Sequence, residues 1–270
     1  MVRGVLRVEM DATRLNGSVN DFMPAAFVVI PVLLAAALVW GVAVASRRLG
    51  EDRATQRRAV LTTIIGAAVW MGGTWLAAAS GVLRRWNATP PPFVILIAGI
   101  SVLSVAIAFT SYGRRLAVGL PLWVLVAVQG FRLPLELAMH EMYERGVMPV
   151  QMSYAGSNYD ILTGITALVV GAIVRFGGHG RVLVAAWNVF GLALLLNIVT
   201  IAILSTPRFS YYGSDRLNEW VADPPYVWLP AVMVLAALAG HLVIFRALRS
   251  RPTRRSDPGA VSDPVGLERR

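Results

Sequence analysis

The sequence predicts an all-α protein, a polytopic bundle of seven transmembrane helices with its N-terminus outside and its C-terminus in the cytoplasm. Three observations predict it. Hydrophobic residues make up 56% of the 270 and charged ones only 15%, at a mean hydropathy of +0.62, which is too apolar for a soluble domain. The apolar residues gather into seven runs, and arginine is distributed unequally over the connections between them.

The runs are 23–45, 59–82, 92–110, 116–139, 158–176, 182–204 and 226–245. At about 1.5 Å rise per residue each can cross a hydrocarbon core of about 30 Å, the third and fifth being the tightest fits. Lipid offers the backbone no hydrogen-bond partner, so each crossing must be helical. Residues 1–22 read as an external segment and not as a cleavable signal peptide, because Glu9 and Asp11 interrupt the apolar stretch such a signal needs. Residues 23–248 form the membrane domain. The basic tail 249–270, rich in Pro, Ser and charge, reads as disordered.

Orientation follows from arginine. The chain has no lysine, so all 25 basic residues are arginines. Sixteen lie in the connections after the first, third and fifth runs and in the C-terminal region, while eight lie in the N-terminal segment and the other three connections. The positive-inside rule then puts the first set in the cytoplasm. A net charge of +10 raises the question of nucleic acid. Charge held in short loops between apolar runs sets topology instead, and no nucleic-acid partner is expected. Cysteine is absent, which excludes disulfides, thiolate metal sites and thiol nucleophiles. The absence of lysine excludes a retinal Schiff base. A bias to Ala, Arg, Gly and Val suggests a GC-rich bacterial genome and hence a bacterial cytoplasmic (inner) membrane.

The fourth run carries the polar groups. In "QGFRLPLELAMHEMYERG", residues 129–146, successive residues turn about 100° on a helix, so Gln129, Arg132, Glu136, His140 and Glu144 share an arc of about 120°. Arg132 with Glu136, and Glu136 with His140, have the i, i+4 spacing of a pair. An ionised side chain at the bilayer centre costs about 2.5 to 3.5 kcal/mol on the insertion scale, so the stripe should face protein or water. Pro134 has no N–H for the carbonyl of Gly130 and should kink the helix there. Beyond it, "GVMPVQMSYAGSNYD" brings Gln151, Asn158 and Asp160 toward the same outer end, where Asp160 alone would read as a helix cap.

Other polar groups are sparser. Asn188, Asn197, Thr74, Ser101 and Ser104 read as helix-packing groups, with Asn188, Asn197 and His241 as possible secondary site residues. His241 lies about 22 Å down the seventh run, far from His140, so the two histidines should not share one metal or haem. His179, in a cytoplasmic "GGHG" turn, reads as a loop residue. Intramembrane zinc hydrolysis would need about three converging ligands, and neither an H-x-x-x-H nor an H-E-x-x-H pair exists. Met139, Met142, Met148 and Met152 around His140 raise copper(I), yet methionine at a membrane interface is more often apolar filler. No metal, cofactor or catalytic residue is assigned. "PPFVILIA" at 91–98 and "PPYVWLPA" at 224–231 open the third and seventh runs alike, as a 3+1+3 repeat would.

The stretch "FRLPLELAMHEMYERGVMPVQMSYAGSNYDILTGITA" resembles a segment of uncharacterised bacterial multi-pass membrane proteins, with an acidic residue and a histidine before a G-x-x-P loop and an N-x-D-I step. The resemblance implies no activity. It supports placing the site on the fourth and fifth runs. The expectation is an outward-facing polar pocket that binds a small polar or charged solute or a proton, as in a permease-like carrier, with Gln129, Arg132, Glu136, His140, Glu144, Asn158 and Asp160 as its ligand- or proton-binding residues. Two alternatives compete with it: a membrane-embedded enzyme using Glu136 and His140, possibly with a metal, and a non-catalytic assembly or sensory subunit.

Overall fold

The computed structural model describes residues 2–177 and 180–250, with side chains from Ala25 onward. His179 and the tail segment 251–270 lie outside the described residues. Among the described residues every regular element is helical. Six helices are long and apolar enough to cross a membrane, the make-up of a multi-pass membrane protein.

The first is the Ala25–Arg48 part of α1 (Val2–Arg48), so residues 2–22 continue the first span as helix. The second is α2 (Arg53–Ala79), started by Asp52, whose carboxylate accepts from the N–H groups of Ala54 and Thr55. The hydroxyl and N–H of Thr55 hold that carboxyl below its ordinary pKa. The third is α3 (Pro92–Phe109), which opens on proline at a position where no N–H is needed. Residues 116–119, expected at the start of the fourth span, belong instead to a separate helix α4 (Ser111–Gly119). Leu120 stands before Pro121 and is therefore extended, at φ −102° and ψ 144°, which breaks the chain there.

The fourth long segment, Leu122–Glu144, is interrupted. It consists of α5 (Leu122–Val128), a 3-10 turn over Gln129–Phe131, and α6 (Arg132–Glu144). The turn falls where Pro134 leaves the carbonyl of Gly130 without its donor. Gly146, at φ 70°, closes α6: its N–H reaches the carbonyl of Tyr143 and that of Val147 reaches Met142. The apolar α7 (Ile161–Gly177) has 17 residues and is shorter than the six. The last two long segments are α8 (Arg181–Leu204) and Leu229–Arg249, the latter a π-helical stretch over Leu229–Val234 continued by α9 (Leu235–Arg249). The two Pro-Pro motifs fold differently. "PPF" runs straight into an α-helix, whereas residues after Pro225 form a turn and then the π stretch, in which the Ala231 carbonyl accepts from the indole N–H of Trp70 at 2.7 Å.

Contacts between connections define two ends. At one, Arg115 bonds Glu51, Arg246 donates to the carbonyls of Ala108 and Thr110, and Arg181 reaches the Leu248 carbonyl. At the other, Arg84 pairs with Asp223, and Gln151 donates to Ser205 and to the Arg216 carbonyl. Between them lies the main core, which includes Phe27, Phe93, Met139, Met152, Trp220 and Met233. The outward faces carry bare apolar side chains such as Val69, Leu76, Val102 and Phe176, the last 83% exposed. Lipid is the solvent that such faces suit.

Candidate functional site

Arg132 heads α6 and is 1% exposed, which makes it the largest fully buried side chain among the described residues. Its Nη1 donates to Asp160 Oδ1 at 2.9 Å and to the Gly191 carbonyl at 3.3 Å. The ion pair thus joins α6 to the residue that leads into α7. The expected Arg132–Glu136 pair is not the one formed. Glu136, one turn further along α6 and also buried, accepts at Oε2 from the side-chain amide of Asn158 at 2.7 Å.

Asn158 organises the two carboxyl groups. Its Nδ2 also donates to the Met152 carbonyl at 2.9 Å, and its Oδ1 accepts the Asp160 N–H at 3.0 Å. A carbonyl accepts only and an N–H donates only, so both ends of this amide are fixed by backbone. Close approach of α6 and α7 is possible because Gly164 has no Cβ; one added there would collide with the backbone of Leu133.

The other predicted residues separate into distinct settings. His140 does not pair with Glu136; its Nδ1 lies 2.8 Å from Ser153 Oγ, its ring stacks on Tyr154, and its Nε2 is 3.9 Å from the exposed Glu144. Both are rim residues, with His140 about 12 Å along the helix axis from Arg132. Gln129 is buried and donates to the Ala237 carbonyl at 3.3 Å. Asn197 is exposed and donates to the Ser157 carbonyl, which steadies the connection before Asn158. Asn188 and His241 form a buried pair: Asn188 Nδ2 donates to the His241 carbonyl at 3.1 Å, and Oδ1 faces His241 Nδ1 at 2.8 Å. The carbonyl orients the amide, so Nδ1 carries the ring proton and Nε2 is a bare acceptor, buried without a partner. A Cβ on Gly191 would lie 2.8 Å from the His241 ring, so this histidine abuts the far side of the residue whose carbonyl holds Arg132.

Two cavities flank these groups. The smaller, about 140 Å³, has Arg132, Glu136 and Asp160 in its wall, with Ser101 and Asn218 as the other polar contributions and apolar side chains elsewhere. Its walls come from α3, the 3-10 turn, α6, α8, the π stretch and α9, and it reaches Met152 and Val221 in the connections at the Arg84–Asp223 end. The larger, about 550 Å³, lies among α1 to α5, the π stretch and α9 and has no Asp, Glu, Arg or His in its wall; Gln129 borders this one and not the smaller. Charge chemistry therefore belongs to the smaller cavity. Arg132 borders it, and two donors of the Arg132 guanidinium, Nε and Nη2, are buried without a hydrogen-bond partner. Buried unmade bonds are costly, about 1 to 3 kcal/mol each and more for charged groups, so these donors favour an incoming acceptor.

Among the described residues no three His, Asp or Glu side chains come together as a metal-binding group. Met139, Met142, Met148 and Met152 are all buried in the main core as apolar packing. Sequence reasoning missed the Gly191 carbonyl, Asn218 and the apolar walls. Gly191 carried a usable signal, being a glycine inside an apolar helical run, where close approach is a common reason for it.

No curated protein and no solved structure matches the chain. A family model described as a domain of unknown function, DUF8737, matches residues 89–249, a stretch that runs from the start of α3 to the end of α9 and holds the whole charge cluster. The chain belongs to that family.

Proposed function

We propose that this protein is a permease-like carrier in a bacterial cytoplasmic membrane, with seven spans, N-terminus outside and C-terminus inside, that binds a small solute in the 140 Å³ cavity and moves it with a proton. The observation that carries the reading is Arg132, a buried cation in a cavity wall with Nε and Nη2 unpaired. The Asp160 pair uses Nη1 and leaves the side-on fork of the guanidinium unused. Glu136 and Asp160 supply the proton chemistry. One cation faces two carboxyl groups, so the cluster is neutral when one of them carries a proton, and an anion is best admitted in that state.

Two further features support a carrier. The helical segments that border the cavity are irregular at the cavity: the 3-10 turn contributes Phe131, and the π stretch contributes Leu229, Pro230 and Met233. Interrupted helices at a mid-membrane site suit movement of one part against another. The grouping of connections at two ends suits seven crossings, with α7 the shortest, and the arginine excess supports a cytoplasmic side for the Glu51–Arg115 end.

Proteoliposomes enclosing a pH-sensitive dye test the reading. An inward gradient of a small monoanion should acidify the lumen, and Arg132→Gln should abolish the signal. A wild-type signal no larger than that of empty vesicles, across a panel of small anions, would refute the carrier.

A further inference from the structure

We infer that the solute is a small monocarboxylate with a compact hydrocarbon body, about the size of benzoate, taken up together with one proton. The inference rests on the carrier reading and adds the chemical class. Three features select it. The two free donors of Arg132, Nε–H and Nη2–H, lie parallel on one edge of a planar group and match the two oxygens of a carboxylate. The remaining walls are nearly all hydrocarbon, among them Phe93, Ile97, Leu195, Val199 and Met233, so a ligand body rich in hydroxyls would lose its hydration without return. A cavity of about 140 Å³ is close to the engineered protein cavity of about 150 Å³ that takes up benzene, which sets the size of the body.

Charge sets the valence. With Glu136 and Asp160 both ionised beside Arg132 the cluster carries one net negative charge, and a monoanion would double it inside an apolar wall. A proton arriving on the cluster keeps that charge constant. A dianion such as phosphate would need a second cation, and Arg132 is the only Arg or Lys in the wall of this cavity among the described residues.

Calorimetry on the full-length protein in detergent tests this with three probes: benzoate, lactate (equal charge, hydrophilic body) and benzyl alcohol (equal body, no charge). Benzoate should bind at least tenfold more tightly than either. Its binding should tighten as pH falls, with one proton taken up per anion by comparison of buffers of different ionisation heat. Arg132→Gln should lose at least tenfold in benzoate affinity and none for benzyl alcohol; should that variant not fold, the proton count on the wild type still decides. Equal binding of lactate and benzoate, through Arg132, would overturn the substrate class and leave an anion carrier standing. Tight benzoate binding without transport in vesicles would do the reverse. Benzoate binding without proton uptake would overturn the proposed coupling.

Discussion

Asp160 answers Arg132 across 28 positions of sequence because α7 begins beside the first turn of α6, whereas Glu136, one turn along the same helix, is held by Asn158. The two carboxyl groups therefore differ in what their removal leaves behind. Asp160→Leu strands a buried cation and should cost about 3 to 5 kcal/mol, while Arg132→Met combined with Asp160→Leu removes both charges and should recover most of it. Glu136→Gln keeps an oxygen for the Asn158 amide and should change stability by less than about 1 kcal/mol, yet transport should lose its proton dependence. Thermal unfolding in detergent, beside the vesicle assay, reads all three. If Asp160→Leu proves as stable as the wild type, the ion pair is not formed in solution.

Glycine fixes how the elements meet. A Cβ at Gly164 would run into the Leu133 backbone, and backbone cannot yield as a side chain can, so Gly164→Ala should push α6 from α7. The expected cost is about 1 to 3 kcal/mol in unfolding, as Asp160 is drawn from Arg132. Gly72, inside α2, meets nothing within 4 Å, and Gly72→Ala there should be neutral or should stabilise by up to about 1 kcal/mol. Equal effects of the two substitutions would remove close packing of α6 on α7 as the cause.

The same elements divide what a sequence can disclose from what it cannot. Helical periodicity is a local property, and it placed Arg132 and Glu136 together on one face, along with the break before Pro134. Partner choice is not local: i, i+4 spacing permits an Arg132–Glu136 pair, and only the docking of α7 decides for Asp160. The α4 break at Leu120–Pro121 lay within an apolar run that composition alone joins to its neighbour. Cavity walls were the least legible part, because a leucine such as Leu195 that borders the cavity is written like Leu168 of α7, which borders neither cavity and is 49% exposed.

Across the whole molecule, the two groups of connections make the orientation testable. A reporter fused after Arg249 should read cytoplasmic, and one placed between Tyr211 and Glu219 should read external, because the Arg84–Asp223 end is poor in arginine. The reverse pattern would turn the cavity end toward the cytoplasm and make the protein an exporter by the same chemistry.

The short α7 also sets a demand on its surroundings. Seventeen residues at about 1.5 Å each give about 26 Å, some 4 Å less than a typical hydrocarbon core. Lipid next to a short helix must thin or the helix must be pulled, at a fraction of a kcal/mol per Å. The shortfall falls on the helix that Asp160 leads into, and α3, at 18 residues, is short by nearly as much. Membrane thickness thereby becomes a variable that acts on the Arg132–Asp160 contact. Transport of benzoate should decline from short-chain to long-chain phosphatidylcholine vesicles, while a protein lengthened by four leucines inserted after Val170 should lose that dependence.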